Sequence, residues 1–426
     1  MSASEARVVM ESPLDSADKV PCLTEYQPIE VRFYDNFDEL VPLREWWDEF
    51  MAEVKADLWL SFDWCRLWWK YYGRDRKLAV FLFYRNGRLI AIFPLIFDHL
   101  KIWPLNLRVF KLVGTDFTIM TVGLPVKREM IPEVMERLIH ELDSRFRWDL
   151  LRLGPLSGRS DITEEFINRY LMKIRPHHEI HLFHTGVQTY FQVKESWEKQ
   201  LSSLKKKQRH NFRRATQSLQ KMGRKIGFEL AENANLKLWF NEFADMHGAY
   251  WVSQGQGGHF VDWPSSRIFH EEFAATQLNL GRLFLMKVNV DGNCVGYKYG
   301  YMFGDTCYTV LSARQKNGIG AEIDFNRLTF QEVISHARER GLKWIDSMRG
   351  YYSHKMELGG TTLPVKMIMV WPKGKNTQVK LFFFKLISFL NQAAYIKIWR
   401  RRIAPRLRLA PKHLSERYIR FSLFHE

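Results

Sequence analysis

Two short stretches of this chain carry residues able to do chemistry. The first is "QKNGIG", which sets Gln315, Gly318, Ile319 and Gly320 between a strand-like run and a helix-like one. Glycines there let the backbone approach a ligand, and the free N–H groups and dipole of a helix start favour phosphate. A plain helix-entry turn has the same composition. The second is "IDSMRGYYSHKMELGG", which gathers Asp346, Arg349, Tyr351, Tyr352, His354 and Lys355. Together with His247 these are the candidates for proton transfer, because burial or a charged neighbour can bring such groups near neutrality. Lys355, just past a strand and flanked by glycines, suits binding an anion or acid–base work. Asp346 and Arg349 suit either substrate binding or a structural ion bridge. His247, on a helix-like stretch beside Trp251, suits either proton transfer or a hydrogen-bonded place in the core. No one of these groups stands out as the general base.

A third stretch is defined by charge. From Lys199 to Lys225 there are ten cations and no acid. Trp197, Leu201, Leu204, Phe212, Ala215 and Leu219 recur at three- and four-residue steps through it, apart from one longer gap across the basic run. That spacing predicts an amphipathic helix or helix pair with a basic polar face, capped by Ser196. The chain has 426 residues and a net charge of +16, which points to an anionic partner. No zinc finger, helix-turn-helix or single-strand stacking motif accompanies the cations, so specific DNA is not expected.

A second excess of charge lies at the C-terminus, where residues from Lys373 onward hold thirteen cations against Glu416 and Glu426. Phe382, Phe383, Leu386, Phe389 and Leu390 fit one helical face ahead of Arg400, Arg401 and Arg402. Such a tail suits lying on an anionic inner leaflet, or docking on the protein's own surface. No run of about 18 apolar residues is apparent, so no membrane span is expected. The N-terminal residues lack an apolar signal segment, and the four cysteines, Cys22, Cys65, Cys294 and Cys307, form no close pairs. A cytoplasmic protein with reduced thiols is the expectation. The run "HHEIHLFH" puts His177 and His181 on one strand face and His178 and His184 on the other, without clustered carboxylates or cysteines to help, so no metal is expected.

The elements that must position these residues form one pattern twice. "KLAVFLFY", the turn "RNG" and "RLIAIFPLIF" make a hairpin, followed by strand-like "LRVFKLVG" and "FTIMTVG", a helix over "IPEVMERLIHELDSRF" and the strand "WDLLRLGPL". About two hundred residues later come "GRLFLMKV", "NVDGN", "CVGYKYGYMF", "TCYTVLSA", the helix "AEIDFNRLTFQEVISHARERG" and the strand "LKWIDSMRG". Helical sequence leads into each half. This predicts an α+β protein with a duplicated unit, each unit a mixed, mainly antiparallel sheet flanked by helices. The expected divisions are a disordered tail over residues 1–27, a first domain over 28–185, a second over 186–372 and a basic helical tail over 373–426.

"WEKQLSSLKKKQRHNFRRATQSLQKMG" resembles the opening of the acyltransferase domain in the CelD-type family. Its members are GCN5-related (GNAT-like) N-acetyltransferase proteins of polysaccharide biosynthesis, related to the Fem-type transferases. Trp197, Leu201, Ser203, Lys206, Arg209, Asn211, Arg213, Arg214, Leu219 and Gly223 stand at matching places. "MHGAYWVSQGQGGHF" is similar to that family's His-x-x-Arg-Trp segment with Tyr250 in place of Arg. Asp346, Arg349, Gly350 and Lys355 match its Asp-x-x-Arg-Gly stretch and the lysine beyond, and Gln315, Gly318 and Gly320 match the Q-x-x-G-x-G spacing of GCN5-related enzymes. The resemblance implies a tandem GNAT-like acyltransferase. Its donor would be acetyl-CoA or another acyl-CoA, held at Gln315, Gly318, Ile319 and Gly320. Its acceptor would be an amine or hydroxyl of a sugar or glycolipid, bound near Arg209, Arg213, Trp251 and Arg349. The catalytic candidates are His247, Asp346, Lys355 and Tyr352, with tyrosine as donor to the leaving thiolate. Two other readings stand beside it: Fem-like transfer from an aminoacyl-tRNA, and a non-catalytic membrane or glycan adaptor with a degenerate cofactor site.

Overall fold

The computed structural model describes residues 28–422, except 104, 119, 161, 162, 172, 173 and 411. The expected tail over residues 1–27, with Cys22, lies outside the described residues. The first half runs β1 (Glu30–Tyr34), α1 (Arg44–Glu53), α2 (Phe62–Tyr72), β2 (Lys77–Arg85), β3 (Arg88–Ile102), β4 (Leu105–Leu112), α3 (Ile131–Arg145), β5 (Leu150–Leu156), α4 (Glu164–Tyr170) and β6 (His178–Gln192). The second adds α5 (Trp197–Ser202) and α6 (Lys206–Lys221), then β7 (Ile226–Leu230), α7 (Leu236–Val252), α8 (His259–Asp262), α9 (Ser266–Asn279), β8 (Leu283–Val290), β9 (Asn293–Phe303) and β10 (Thr306–Arg314). It ends with α10 (Ile319–Glu322), α11 (Phe325–Glu339), β11 (Trp344–Arg349), α12 (Ser353–Glu357) and β12 (Thr361–Pro372). In each half one tight hairpin, β2–β3 and β8–β9, is closed by the Asn-Gly or Asp-Gly turn its sequence announces, and Gly304–Asp305 closes a further one between β9 and β10. Asn86 and Gly87 take φ of 51° and 71°, and Asp291 and Gly292 take 50° and 79°, the left-handed pair that matches strand twist.

All twelve strands form one sheet, in the order β1-β2-β3-β4-β5-β12-β6-β11-β10-β9-β8-β7. Reversing that order and exchanging each strand with its counterpart six places on returns the same order, so the duplication is a pseudo-two-fold. The parallel pairs, β4 with β5 and β10 with β11, are counterparts. The last strand of each half crosses into the other: β12 lies between β5 and β6, and β6 between β12 and β11. The boundary expected at residues 185/186 therefore falls inside β6, a strand whose backbone bonds serve both halves. Thr361–Pro372, for which no strand is expected from the sequence, is a central strand of the sheet.

Two further expectations differ from the structure. "FTIMTVG" is not a strand. Thr118 takes φ 51° there, and the segment contributes one bridge, Val122 to Leu156. The helix expected over 321–341 is broken at Ile323 and Asp324, where the Asp324 carboxylate accepts from Arg327 N–H (3.2 Å) and starts α11 afresh.

The halves share a core of aromatic rings. Trp64 of α2 meets Phe269 and Phe273 of α9 at ring distances of 4.8 and 5.0 Å, and Trp59 meets Tyr301 and Tyr308 at 6.1 and 5.5 Å. Edge-to-face contacts of this kind fix the relative position of packed elements.

The chain after β12 folds onto the first half. α13 (Lys375–Leu390) continues through a wider-wound stretch (Asn391–Ile403) into α14 (Ala404–Arg406), and α15 (Glu416–Phe421) follows. The continuous helix Lys375–Arg406 has a mean hydropathy of 1.3 over its most apolar window, long and apolar enough by length and composition to cross a membrane. That corrects the expectation of no such segment, because Phe, Ile and Ala dilute the scattered lysines over this length. Leu381 and Phe384 nevertheless pack with Leu107, Val109, Met367 and Met369 of the sheet.

Candidate active site

In the second half β10 and β11 are paired only where Thr306–Tyr308 meet Trp344–Asp346, and beyond that they part. The register of β10 shifts between Thr309 and Leu311, and Met348 takes φ 62° in β11. A bulge at such a fork frees backbone groups and re-aims side chains. Lys355 of α12 braces the β11 arm of the fork: its ammonium donates to the carbonyls of Ser347, Met348 and Arg349 at 2.5, 3.2 and 3.0 Å. Burial lowers its pKa to about 8 against the pull of Asp346. All three ammonium hydrogens are committed to carbonyls, so Lys355 shapes the end of β11.

Lys298 of β9 lies beneath the start of α11, its ammonium 5.5 Å from the centre of the Phe325 ring, and burial brings its pKa to about 8. The charges of Lys355 and Lys298, added to burial, lower the pKa of His354, whose ring stacks on Tyr352 at 5.7 Å. His354 thus feels the charge of both lysines. Lys298 is not among the residues that motif spacing singles out; its signal in the sequence is a single lysine in the otherwise uncharged "CVGYKYGYMF". Tyr352 is exposed at the entrance to α12.

A cleft of about 720 Å³ opens between α6, the start of α11 and α12, lined by Lys207, Asn211, Arg214, Asp324, Arg327 and Met356 among others. α6 forms its wall because Phe212, Ala215 and Leu219 are buried on one side, with Phe212 against Trp197 (5.5 Å) and Phe330 (6.2 Å). Its polar face is left outward, as the periodicity requires. Gln208 ties α6 to α12 by donating to the Met356 carbonyl at 2.7 Å. Arg327 bridges the carboxylates of Asp324 and Glu357. Lys206, Lys207, Arg213 and Arg214 are exposed. The wall therefore offers cations to a ligand while the main acids opposite are already paired.

The expected residues divide around this centre. Arg209 turns back to the Leu204 carbonyl (2.5 Å), and Arg213 lines a separate hollow of about 270 Å³ beside Trp197. Arg214 is the arginine that α6 places in the cleft. Gln315 donates to the Cys294 carbonyl (2.8 Å), Gly320 packs so closely that a Cβ would lie 2.9 Å from that of Gln315, and Ile319 rests on the core. Gly318, at φ 63°, faces open space. The QKNGIG loop opens only the single turn of α10, while the long helix behind it starts separately at Asp324.

His247 and Trp251 belong to α7, on the opposite face of the sheet from α6 and α11. His247 faces the Ser312 carbonyl through Nδ1 (3.1 Å), its Nε2 has no partner among the described residues, and burial lowers its pKa, which favours the neutral ring. Lys316 joins the two regions, reaching Ser253 (2.5 Å) and lying 4.5 Å from the Tyr250 ring centre.

Asp346 sits inside the seam between the halves. It accepts from the Gln188 amide and from Met348 N–H (2.7 Å), while Asp57 of the first half accepts from Tyr308 Oη (2.8 Å). Burial first, and mutual repulsion second for Asp346, raise the two carboxyls to about 7 and about 6. Arg349 donates to the Thr185 carbonyl (2.5 Å). No group of three or more metal-ligating side chains occurs among the described residues.

The corresponding fork of the first half is filled. Lys111 and Arg152, the last paired residues of β4 and β5, stand where Tyr308 and Asp346 stand in the second half. Lys111, Arg76 and Arg420 surround Asp98. The tail also supplies the Arg420 carbonyl to Lys111 (3.3 Å) and the Ser422 carbonyl to Arg152 (2.9 Å).

Comparison with known proteins agrees with this division. Residues 206–356, which hold α6, the fork and α12, match the family model described as an acetyltransferase (GNAT) domain. The structure resembles that of FemX, with 11% identity, 84% of this chain and 99% of that chain covered and a TM-score of 0.57. A tandem GNAT protein from the clavulanic acid biosynthesis pathway aligns over 81% of this chain and 99% of its own, at 11% identity and a TM-score of 0.36. L-PGS from Bacillus licheniformis aligns over 80% and 96%, at 11% identity and 0.45. No curated protein matches in sequence. The fold is GNAT-like, the second half carries a GNAT domain, and the protein is by class an acyltransferase.

Proposed function

We propose that the second half transfers an acetyl or longer acyl group from acyl-CoA to an amine or hydroxyl of a sugar or glycolipid, as the CelD-type resemblance implies. The observation that carries this reading is the fork between β10 and β11 opening beside a cleft walled by exposed cations. Lys207 and Arg214 suit the phosphates of the donor, and backbone groups freed where the strands part suit the oxyanion that forms at the thioester carbonyl. The acceptor nitrogen or oxygen attacks that carbonyl. A C–N or C–O bond forms, the C–S bond breaks, the acceptor proton passes to a neutral amine or imidazole at the fork, and the thiolate takes a proton from Tyr352 or from that base. Lys298, with its pKa near 8, is the group best suited to be the base, with His354 beside it. In this reading the acceptor approaches from the α7 face, which carries His247 and Trp251, opposite the donor cleft walled by α6.

Calorimetric titration with acetyl-CoA and longer acyl-CoAs tests this. Saturable binding that weakens by about tenfold or more in a Lys207→Glu, Arg214→Glu variant is the expected result. A folded protein that binds no CoA thioester would overturn it. The likeness of fold to FemX favours a second reading, Fem-like use of an aminoacyl-tRNA. RNA copurifying with the protein and released by high salt would mark that reading.

A further inference from the structure

The helix Lys375–Arg406 has two apolar faces and the protein covers only one. Leu381, Phe384 and Ser388 are buried, while Val379, Phe382, Leu386, Phe389 and Leu390 are exposed. At 100° per residue the exposed set spans an arc of about 100° centred opposite the buried set. Phe382 and Phe389 are 64% and 68% exposed. Ten of the twenty-one large hydrophobic residues exposed among the described residues lie between Val379 and Leu409. A patch of that density is unusual on a soluble surface and marks a place of contact.

Charge says what the contact is with. Between Lys373 and Ser415 there are eleven cations and no acid. Lys380 and Arg400 pair with Asp149 and Asp262, but Lys373, Lys375, Lys397, Arg401, Arg402, Arg406 and Arg408 remain exposed. An apolar face edged by exposed cations matches a bilayer with anionic headgroups, apolar rings entering the acyl boundary and ammonium and guanidinium groups meeting phosphate.

The attachment of the helix sets its orientation. Its start follows β12, a central strand, and its far end returns to the same body. His413 faces the Val261 carbonyl, Leu414 N–H donates to the Asp262 carbonyl, and Arg420 pairs with Asp98 in the filled first-half fork. A helix held at both ends on one side of a globule lies along a membrane and does not cross it.

We propose that this protein docks on anionic lipid bilayers through the exposed face of Lys375–Arg406, lying in the plane of the interface. The docked chain is also pinned to residues 261–262 of α8, the short helix that follows α7. This places the α7 side of the sheet near the headgroup layer, so the acceptor is carried on a membrane amphiphile. That last step rests on the acyl-transfer reading; the docking itself does not.

The test is flotation of the full-length protein with vesicles of phosphatidylcholine alone and of phosphatidylcholine mixed with phosphatidylglycerol. Binding is expected on the mixed vesicles, weaker by about tenfold or more on the neutral ones, and lost by a similar factor in a Phe382→Glu, Phe389→Glu variant. Both side chains are largely exposed, so circular dichroism and the melting temperature should stay unchanged in that variant. Equal flotation of variant and wild type would overturn the proposal, as would no binding by wild type. A wild-type dimer that the variant dissolves, without vesicle binding, would assign the face to a second copy. Retention in the bilayer after an alkaline wash would replace lying with spanning. Acyl-CoA calorimetry on the same variant separates the claims, because a docking failure leaves donor binding intact.

Discussion

A single lysine in a strand of tyrosines and glycines is the residue on which the proposed chemistry turns. Burial under α11 takes Lys298 to a pKa of about 8, and a buried amine with so low a pKa is partly neutral near physiological pH. If it is the base, activity rises as pH climbs through about 8 and levels above it. Lys298→Met should lower kcat by roughly 10²- to 10⁴-fold and remove that rise, while leaving acyl-CoA affinity within a few-fold. A pH–rate profile of the variant checks this, and Lys298→Arg, which stays charged, should be as inactive as the methionine. A purely structural lysine would instead give the same pH profile at reduced stability. Lys298 escaped the sequence reading because a lysine's role depends on what covers it. Lys355, which the sequence did single out, spends its hydrogens on three carbonyls. Its spacing was legible in the sequence, but its partners were not.

Among the elements, α6 was the most legible. Apolar residues at three- and four-residue steps predicted both the helix and its buried side, and Ser196 caps the preceding α5 through Lys199 N–H at 3.2 Å as expected. The division into α5 and α6 follows the longer gap in the apolar pattern. α6 is held by few contacts: only Phe212, Ala215 and Leu219 are buried. Phe212→Ala should therefore cost about 3–5 kcal/mol of stability and let the cleft wall fray. Urea unfolding measures the first effect, and faster amide exchange confined to residues 206–221 measures the second. The helix at 321–341 was less legible, because Asp324 can sit within a helix or start one, and the tertiary position of the loop decides between them.

At the scale of the whole molecule the two halves are sewn together by strand exchange, and the seam holds two carboxyls. Asp57 and Asp346 titrate near 6 and 7, both above their ordinary value of 3.8. Between 3.8 and those values the folded chain binds more protons than the unfolded one. Their contribution is thus fully favourable at acid pH and is lost as pH rises through about 6 to 7. Asp346→Asn keeps the Gln188 neighbour and removes one charge, so its stability should fall less than that of the wild type between about pH 5 and about pH 8. Urea midpoints at both pH values decide this, and an identical slope in the variant would show that the seam carboxyl is ionised throughout.

The sequence by itself determined the local pieces: the hairpins with their Asn-Gly and Asp-Gly turns, the helix faces, the basic run and the repetition of one unit. Those follow from interactions within a few residues, which periodicity and turn chemistry record. Only the tertiary structure decided that β6 and β12 change places, that the tail plugs the first half's fork and leaves the second open, and that His247 and the basic helix fall on opposite faces of the sheet. Strand pairing across 180 residues and the burial of a charge depend on which distant surfaces meet. No local pattern encodes that choice.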